Sequence, residues 1–91
     1  MIEQPLRLPC GQELTNRLCK AAMTEGLATA QGVPTPELIR LYGVWSDSGA
    51  GLLLSGNVQI DRDHLERPGN VIVDREPDDA LRDALVEWAQ A

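Results

Sequence analysis

At 91 residues the chain is at most one small domain, which excludes a multidomain enzyme within these residues. Eight Lys and Arg against 14 Asp and Glu give a net charge of −6, and no run gathers the positive charges, so phosphate-backbone binding is disfavoured and no nucleic-acid partner is expected. A composition of 43% hydrophobic and 24% charged residues is that of a folded chain, yet one Tyr, two Trp and no Phe supply few of the aromatics that fill a small core, so the chain reads as part of a larger core.

Leu6-Arg7-Leu8 and Gln12-Glu13-Leu14-Thr15 alternate apolar with polar around Pro9-Cys10-Gly11, which predicts a hairpin over about 6–15. Arg17 to Met23, small and apolar, predicts a strand over about 17–23, followed by a loop that ends at Gly32-Val33-Pro34-Thr35. Thr35-Pro36-Glu37 is a helix start: a hydroxyl to cap free amides, Pro at the first helical position and an acid against the positive end of the dipole. Leu38, Leu41, Tyr42 and Trp45 continue as an apolar stripe, predicting a helix over about 36–48 that closes at Ser48-Gly49. Gly51-Leu52-Leu53-Leu54 reads as a parallel strand covered on both faces, within an element over about 51–57.

From there a charged loop is expected over about 58–76, with only Val71-Ile72-Val73 able to form a further short strand. Pro77, Asp78 and Asp79 start a second helix over about 77–90, whose stripe is Leu81, Ala84, Leu85 and Trp88. The order hairpin, strand, helix, strand, loop, helix predicts an α/β chain built on a strand–helix–strand unit with parallel pairing. A two-stranded sheet is marginal and exposes both edges, so the pattern describes the beginning of an α/β protein better than a whole one.

Cys10 and Cys19 make neither a metal site nor a CxxC pair and read as reduced thiols. No apolar run approaches the roughly 20 residues of a membrane span, and the first residues lack the basic and apolar regions of a signal peptide, so no membrane contact and a cytoplasmic location are expected.

Leu14-Thr15-Asn16-Arg17, Ala21-Ala22-Met23-Thr24, Gly32-Val33-Pro34-Thr35, Tyr42 and Gly49-Ala50-Gly51-Leu52-Leu53-Leu54-Ser55-Gly56, in this order, resemble the amino-terminal part of the old yellow enzyme family of flavin-dependent NAD(P)H oxidoreductases. The resemblance spans about residues 5 to 91 and rests on several ordered motifs with intermediate spacing. It implies a TIM (β/α)8 barrel, incomplete in this chain, which would hold the amino-terminal hairpin and the first βαβα portion. It implies FMN as cofactor, NAD(P)H as reductant and reduction of activated C=C bonds in enone or enoyl substrates by the full-length protein. The family's later motifs for substrate and phosphate binding have no counterpart here, so the isolated chain is expected to be inactive.

By position in the resemblance, Ala22, Met23 and Thr24 run along the flavin, with the Thr24 hydroxyl near its reactive edge, and Gly56 contacts it from the end of the second strand. A donor at that edge stabilises negative charge on a reduced ring, and a glycine permits close approach of a flat one. Ser55 and Asn57 are polar groups at the same strand end. Gly26 stands where some members carry a pocket Tyr, which leaves the pocket's shape open. No catalytic residue and no metal ligand is assigned. His64, the sole histidine, lies in a charged stretch and is expected to be solvated, whereas Gly69-Asn70-Val71 reads as a lid segment over the flavin. A small-molecule unsaturated carbonyl is the expected partner, together with a second copy or a complementing barrel segment. The competing reading is a non-catalytic α/β interaction module that uses the strand edges and the Leu38, Leu41 and Trp45 face.

Overall fold

Alternation around Pro9-Cys10-Gly11 folds the chain back on itself. In the computed structural model, which describes residues 1–91, β1 (Leu6–Arg7) and β2 (Glu13–Leu14) pair antiparallel with Leu6 opposite Leu14. β3 (Cys19–Lys20) then pairs in parallel with β4 (Leu52–Leu53), Cys19 opposite Leu52, and α1 (Pro36–Ser46) lies between them in sequence, which makes a strand–helix–strand unit. β5 (Val58–Gln59) and β6 (Val71–Ile72) form a second parallel pair, and α2 (Asp79–Gln90) closes the order.

Both helices begin as their caps dictate. The Thr35 hydroxyl accepts from the Leu38 amide at 3.2 Å and donates to the Leu27 carbonyl at 2.5 Å, so it starts α1 and ties it to the preceding loop. The Asp78 carboxylate accepts from the Leu81 amide at 2.8 Å. That makes Asp78 the cap and moves the start of α2 two residues past the expected Pro77, because Pro77 lies before the cap rather than inside the first turn.

Leu38, fully buried, anchors the core with Tyr42 and Val71, and Leu53, Leu85, Trp45 and Trp88 pack around them. Burying a Leu side chain of this kind is worth about 2 kcal/mol. The edges of Trp45 and Trp88 meet Tyr42 at centroid distances of 5.1 and 5.4 Å, near-perpendicular as the aromatic quadrupole prefers. The helices cover one face of β3–β4 only: Leu53 points into the core, whereas Leu52 and Leu54 are 40% and 47% exposed. The expectation of a strand covered on both faces is thereby corrected, since this chain places helices on one side.

Within the expected loop over 58–76 the short strand read at Val71-Ile72-Val73 is present as β6, and the correction is its partner β5 at Val58–Gln59. The two β-branched patches pair as β5–β6, and Asn70, Val71 and Ile72 are among the most buried residues. Ile72 donates its amide to the Gly32 carbonyl at 3.0 Å, and Gly69 accepts from the Ala28 amide at 2.9 Å, so Gly69-Asn70-Val71 is interior packing rather than a lid. Arg62 fastens the excursion, its Nε and Nη2 donating to Asp74 Oδ2 and Oδ1 at 2.6 and 2.9 Å. Those bonds, with a third from Arg75, hold the Asp74 carboxyl well below the usual carboxylate range. No helix is long and apolar enough to cross a membrane.

Candidate functional site

The β3–β4 ladder ends where the Leu54 amide donates to the Lys20 carbonyl at 3.1 Å. This is why the paired strands are shorter than the expected 17–23 and 51–57. Past that point Ala21 to Glu25 and Ser55 to Asn57 run on without backbone bonds between them, and side chains make the links instead. Glu25 Oε2 accepts from the Gly56 amide at 3.0 Å and from Tyr42 Oη at 2.5 Å, joining the ends of both strands to α1. Burial, and then the bond and charge of Glu25, push the Tyr42 phenol far above its ordinary value, so it remains a donor. One residue away on each strand, Asn57 Nδ2 donates to Thr24 Oγ1 at 3.2 Å.

Gly56 is buried because its neighbours leave no room for a side chain. A Cβ there would run into the Met23 carbonyl and the Glu25 carboxylate. The close approach that demands glycine is therefore one between segments of this chain, and a flat ligand is not needed to explain it.

Of the four residues expected at a site, Met23 and Gly56 are neighbours, and Thr24 joins the Gly56 segment through Asn57. Ala22 is exposed beside them without a polar side-chain contact of its own, and Met23 is 50% exposed. Glu25 and Tyr42 were not part of the expected site, and Asn57 counted there only as a polar strand-end residue. The available signal was an acid directly after Met23-Thr24 in a segment otherwise free of charge between Lys20 and Glu37.

His64 lies away from these residues, its side chain 81% exposed and Nδ1 2.8 Å from Asp61 Oδ2. Cys10 and Cys19 are both free and exposed. No group of three or more His, Cys, Asp or Glu side chains is arranged to hold a metal ion. The largest cleft, about 420 Å³, is an apolar groove between the helices lined by Tyr42, Ser46, Leu53, Leu85 and Trp88, not the strand-end ledge.

No family model matches the chain. Individual proteins do. It is 37% identical over 87 residues to the NADH-dependent flavin oxidoreductase iliE of Hypocrea jecorina, covering 94% of this chain and 22% of that protein. To the enzyme of the same name from a Neonectria species it is 37% identical over 89 residues, covering 97% of this chain and 12% of that protein. The old yellow enzyme homologue NCR of Zymomonas mobilis superposes with a TM-score of 0.79 at 27% identity, over 98% of this chain and 23% of that one. A variant of NCR gives 0.80. These likenesses support the chain as an amino-terminal segment of an old yellow enzyme family protein. It spans about a fifth of the length of the first curated relative, and within those residues the fold is an α/β segment without a closed barrel.

Proposed function

We propose that the chain is the opening segment of an FMN-dependent oxidoreductase that uses NAD(P)H to reduce activated C=C bonds of enone or enoyl type. The observation that carries this reading is the ledge at the carboxyl ends of β3 and β4, where Thr24 meets Asn57 beside exposed Ala22 and Met23. Barrels of parallel strands bind their ligands at that end.

The residues present fit a flat ring with acceptors along its edge. Thr24 Oγ1 accepts from Asn57, so its proton is free to donate outward. The backbone amides of Ala22, Met23 and Thr24 donate to no other group of the chain. Ala22 is small and exposed, which leaves space for a plane to lie along the backbone. When bound, FMN supplies hydride transfer from NAD(P)H to the alkene. Thr24 would donate to the edge of the ring that gains negative charge, Ala22 and Met23 would run beside its plane, and Gly56 would contribute backbone at the second strand.

The finer fold reading is the hairpin and first βαβα portion of an eight-stranded barrel. Exposed Leu18, Leu52 and Leu54, with the outer edges of β3 and β4 unpaired, support a sheet that continues into further strands or a complementing segment. Two free, exposed thiols suit a cytoplasmic location, and the net charge of −6 suits a small-molecule partner rather than a nucleic acid.

The test is Thr24→Ala in the full-length protein, followed by stopped-flow measurement of both half-reactions. Loss of one charge-assisted bond, worth roughly 1.5–3 kcal/mol, slows flavin reduction by NAD(P)H by up to about a hundredfold, while reoxidation by an enone does not slow in parallel. Wild-type rates in both halves would make Thr24 a turn residue. A full-length protein that binds no FMN and oxidises no NAD(P)H would remove the oxidoreductase reading and leave the interaction module. The 91-residue chain by itself is expected to show no turnover.

A further inference from the structure

Backbone pairing stops at Leu54 and Lys20, yet the two strand ends stay together for three more residues through side chains, and the interior one of these is a carboxylate. Glu25 Oε2 takes a proton donor from each of two other elements, Tyr42 Oη of α1 at 2.5 Å and the Gly56 amide beyond β4 at 3.0 Å. Gly56 makes room for it, since any Cβ would occupy the carboxylate's place and strike the Met23 carbonyl. The neighbouring link runs between the next residues along, Thr24 and Asn57, and it lies on the exposed side, whereas the Glu25 link reaches back to the helix. Successive side chains of extended backbone point to opposite faces, so fixing Glu25 toward α1 turns Thr24 toward the open ledge.

We infer that Glu25 is a positioning residue for the flavin site: its carboxylate, held by Tyr42 and Gly56, sets where the Thr24 hydroxyl stands and how Asn57 meets it. The inference rests on the function proposed above. Glu25 touches no reacting group, and it acts through Thr24.

The experiment uses the full-length protein and FMN as the probe. FMN affinity is measured by fluorescence titration, and exchange of the Gly56 and Gly51 amides by hydrogen–deuterium exchange, in Glu25→Ala, Glu25→Gln and Tyr42→Phe. Glu25→Ala is expected to weaken FMN binding about tenfold, the scale of one hydrogen bond to a charged group, and to speed exchange at Gly56 but not at Gly51. Glu25→Gln keeps an acceptor of the same length and restores most of both. Tyr42→Phe retains the core ring and shows a smaller loss of the same kind, which preserves the test if Glu25→Ala does not fold. In a Thr24→Ala background the Glu25→Ala change should cost little further affinity.

Wild-type affinity in Glu25→Ala with faster Gly56 exchange would overturn the positioning role, leaving Glu25 a purely structural tie. So would an undiminished loss in the Thr24→Ala background, or unchanged Gly56 exchange. If the unmodified protein binds no FMN, the proposed function fails and the positioning role with it; if it binds FMN and the Glu25 variants do too, only the positioning role fails.

Discussion

The two ends of the β3–β4 pair are fastened by different polar side chains, Asn16 at the amino ends and Glu25, beside the Thr24–Asn57 contact, at the carboxyl ends. Asn16 donates through Nδ2 to the Gly49 carbonyl at 2.6 Å and accepts through Oδ1 from the amides of Leu18 and Gly51 at 3.0 and 2.9 Å. Every partner is backbone, the side chain is neutral, and its oxygen and nitrogen are both used. Glu25 carries charge, places both its donors on one oxygen and stands next to the exposed Thr24–Asn57 contact. A closed neutral tie suits an end that only has to hold. The charged tie leaves polar groups uncommitted beside it, which suits an end that meets a ligand.

Glycine substitutions break the comparison most severely, because each tie is packed against one. A Cβ on Gly51 would lie 2.5 Å from the Asn16 carbonyl, and one on Gly56 would strike the Met23 carbonyl and Glu25. Gly51→Val and Gly56→Val should each destabilise the full-length protein by about 3 kcal/mol or more by chemical denaturation, since backbone must shift in both. For Gly56 the cost falls on folding before it falls on flavin occupancy. A Gly56→Val protein of wild-type stability would mean that the strand ends are not in contact.

Asn16→Ala sharpens the contrast at a smaller scale. It leaves the Leu18 amide and the Gly49 carbonyl short of a partner, while the Gly51 amide still donates to the Leu18 carbonyl at 3.0 Å, so a loss of about 1–2 kcal/mol is expected. FMN affinity of the fraction that remains folded should be unchanged, in contrast to Glu25→Ala. An equal loss of affinity in both variants would erase the distinction between the ends.

The smallest effect concerns a third fastening, Arg62 with Asp74, which joins the start and end of the β5–β6 excursion. The folded Asp74 carboxyl lies below its ordinary value of 3.8. Its contribution is therefore complete above that value and is lost as pH falls through the lower, folded one. Asp74→Asn should flatten the decline of stability below about pH 4 while changing nothing in the pH dependence near neutrality, read from urea unfolding across that range. A decline as steep as the wild type's would assign acid sensitivity to other carboxylates.

Helices were the most legible part of the sequence, because their signals are local. Thr35-Pro36 and the stripe from Leu38 to Trp45 lie within a dozen residues, and the structure places α1 at Pro36–Ser46. The start of α2 lies two positions past the expected Pro77, since Pro77 and Asp78 both carry start signals and only the cap geometry separates them. Val71-Ile72-Val73 was legible as a strand, but β5 and its pairing with β6 were not: Val58–Gln59 carries no periodicity, and the pairing, thirteen positions apart, is decided by distant contacts such as Ile72 with Gly32. The same limit hid Glu25, whose partners are 17 and 31 residues away. Exposure of Leu52 and Leu54 was illegible for another reason, because a continuous apolar run does not say which of its faces this chain itself covers.

Tyr42 touches both tryptophans edge-on, and these three rings are all the aromatic side chains the chain has. Optically the segment therefore has a single voice. Light absorbed by the tyrosine passes to indoles in contact with it, and both indoles report the docking of α1 against α2. Changes in the hairpin are silent in this emission unless they disturb that contact, whereas β6 reaches the same cluster through Val71. Lys20 adds a built-in modulator, its ammonium 4.6 Å from the Trp45 centroid, so the two tryptophans emit from unequal electric environments although they share a neighbour.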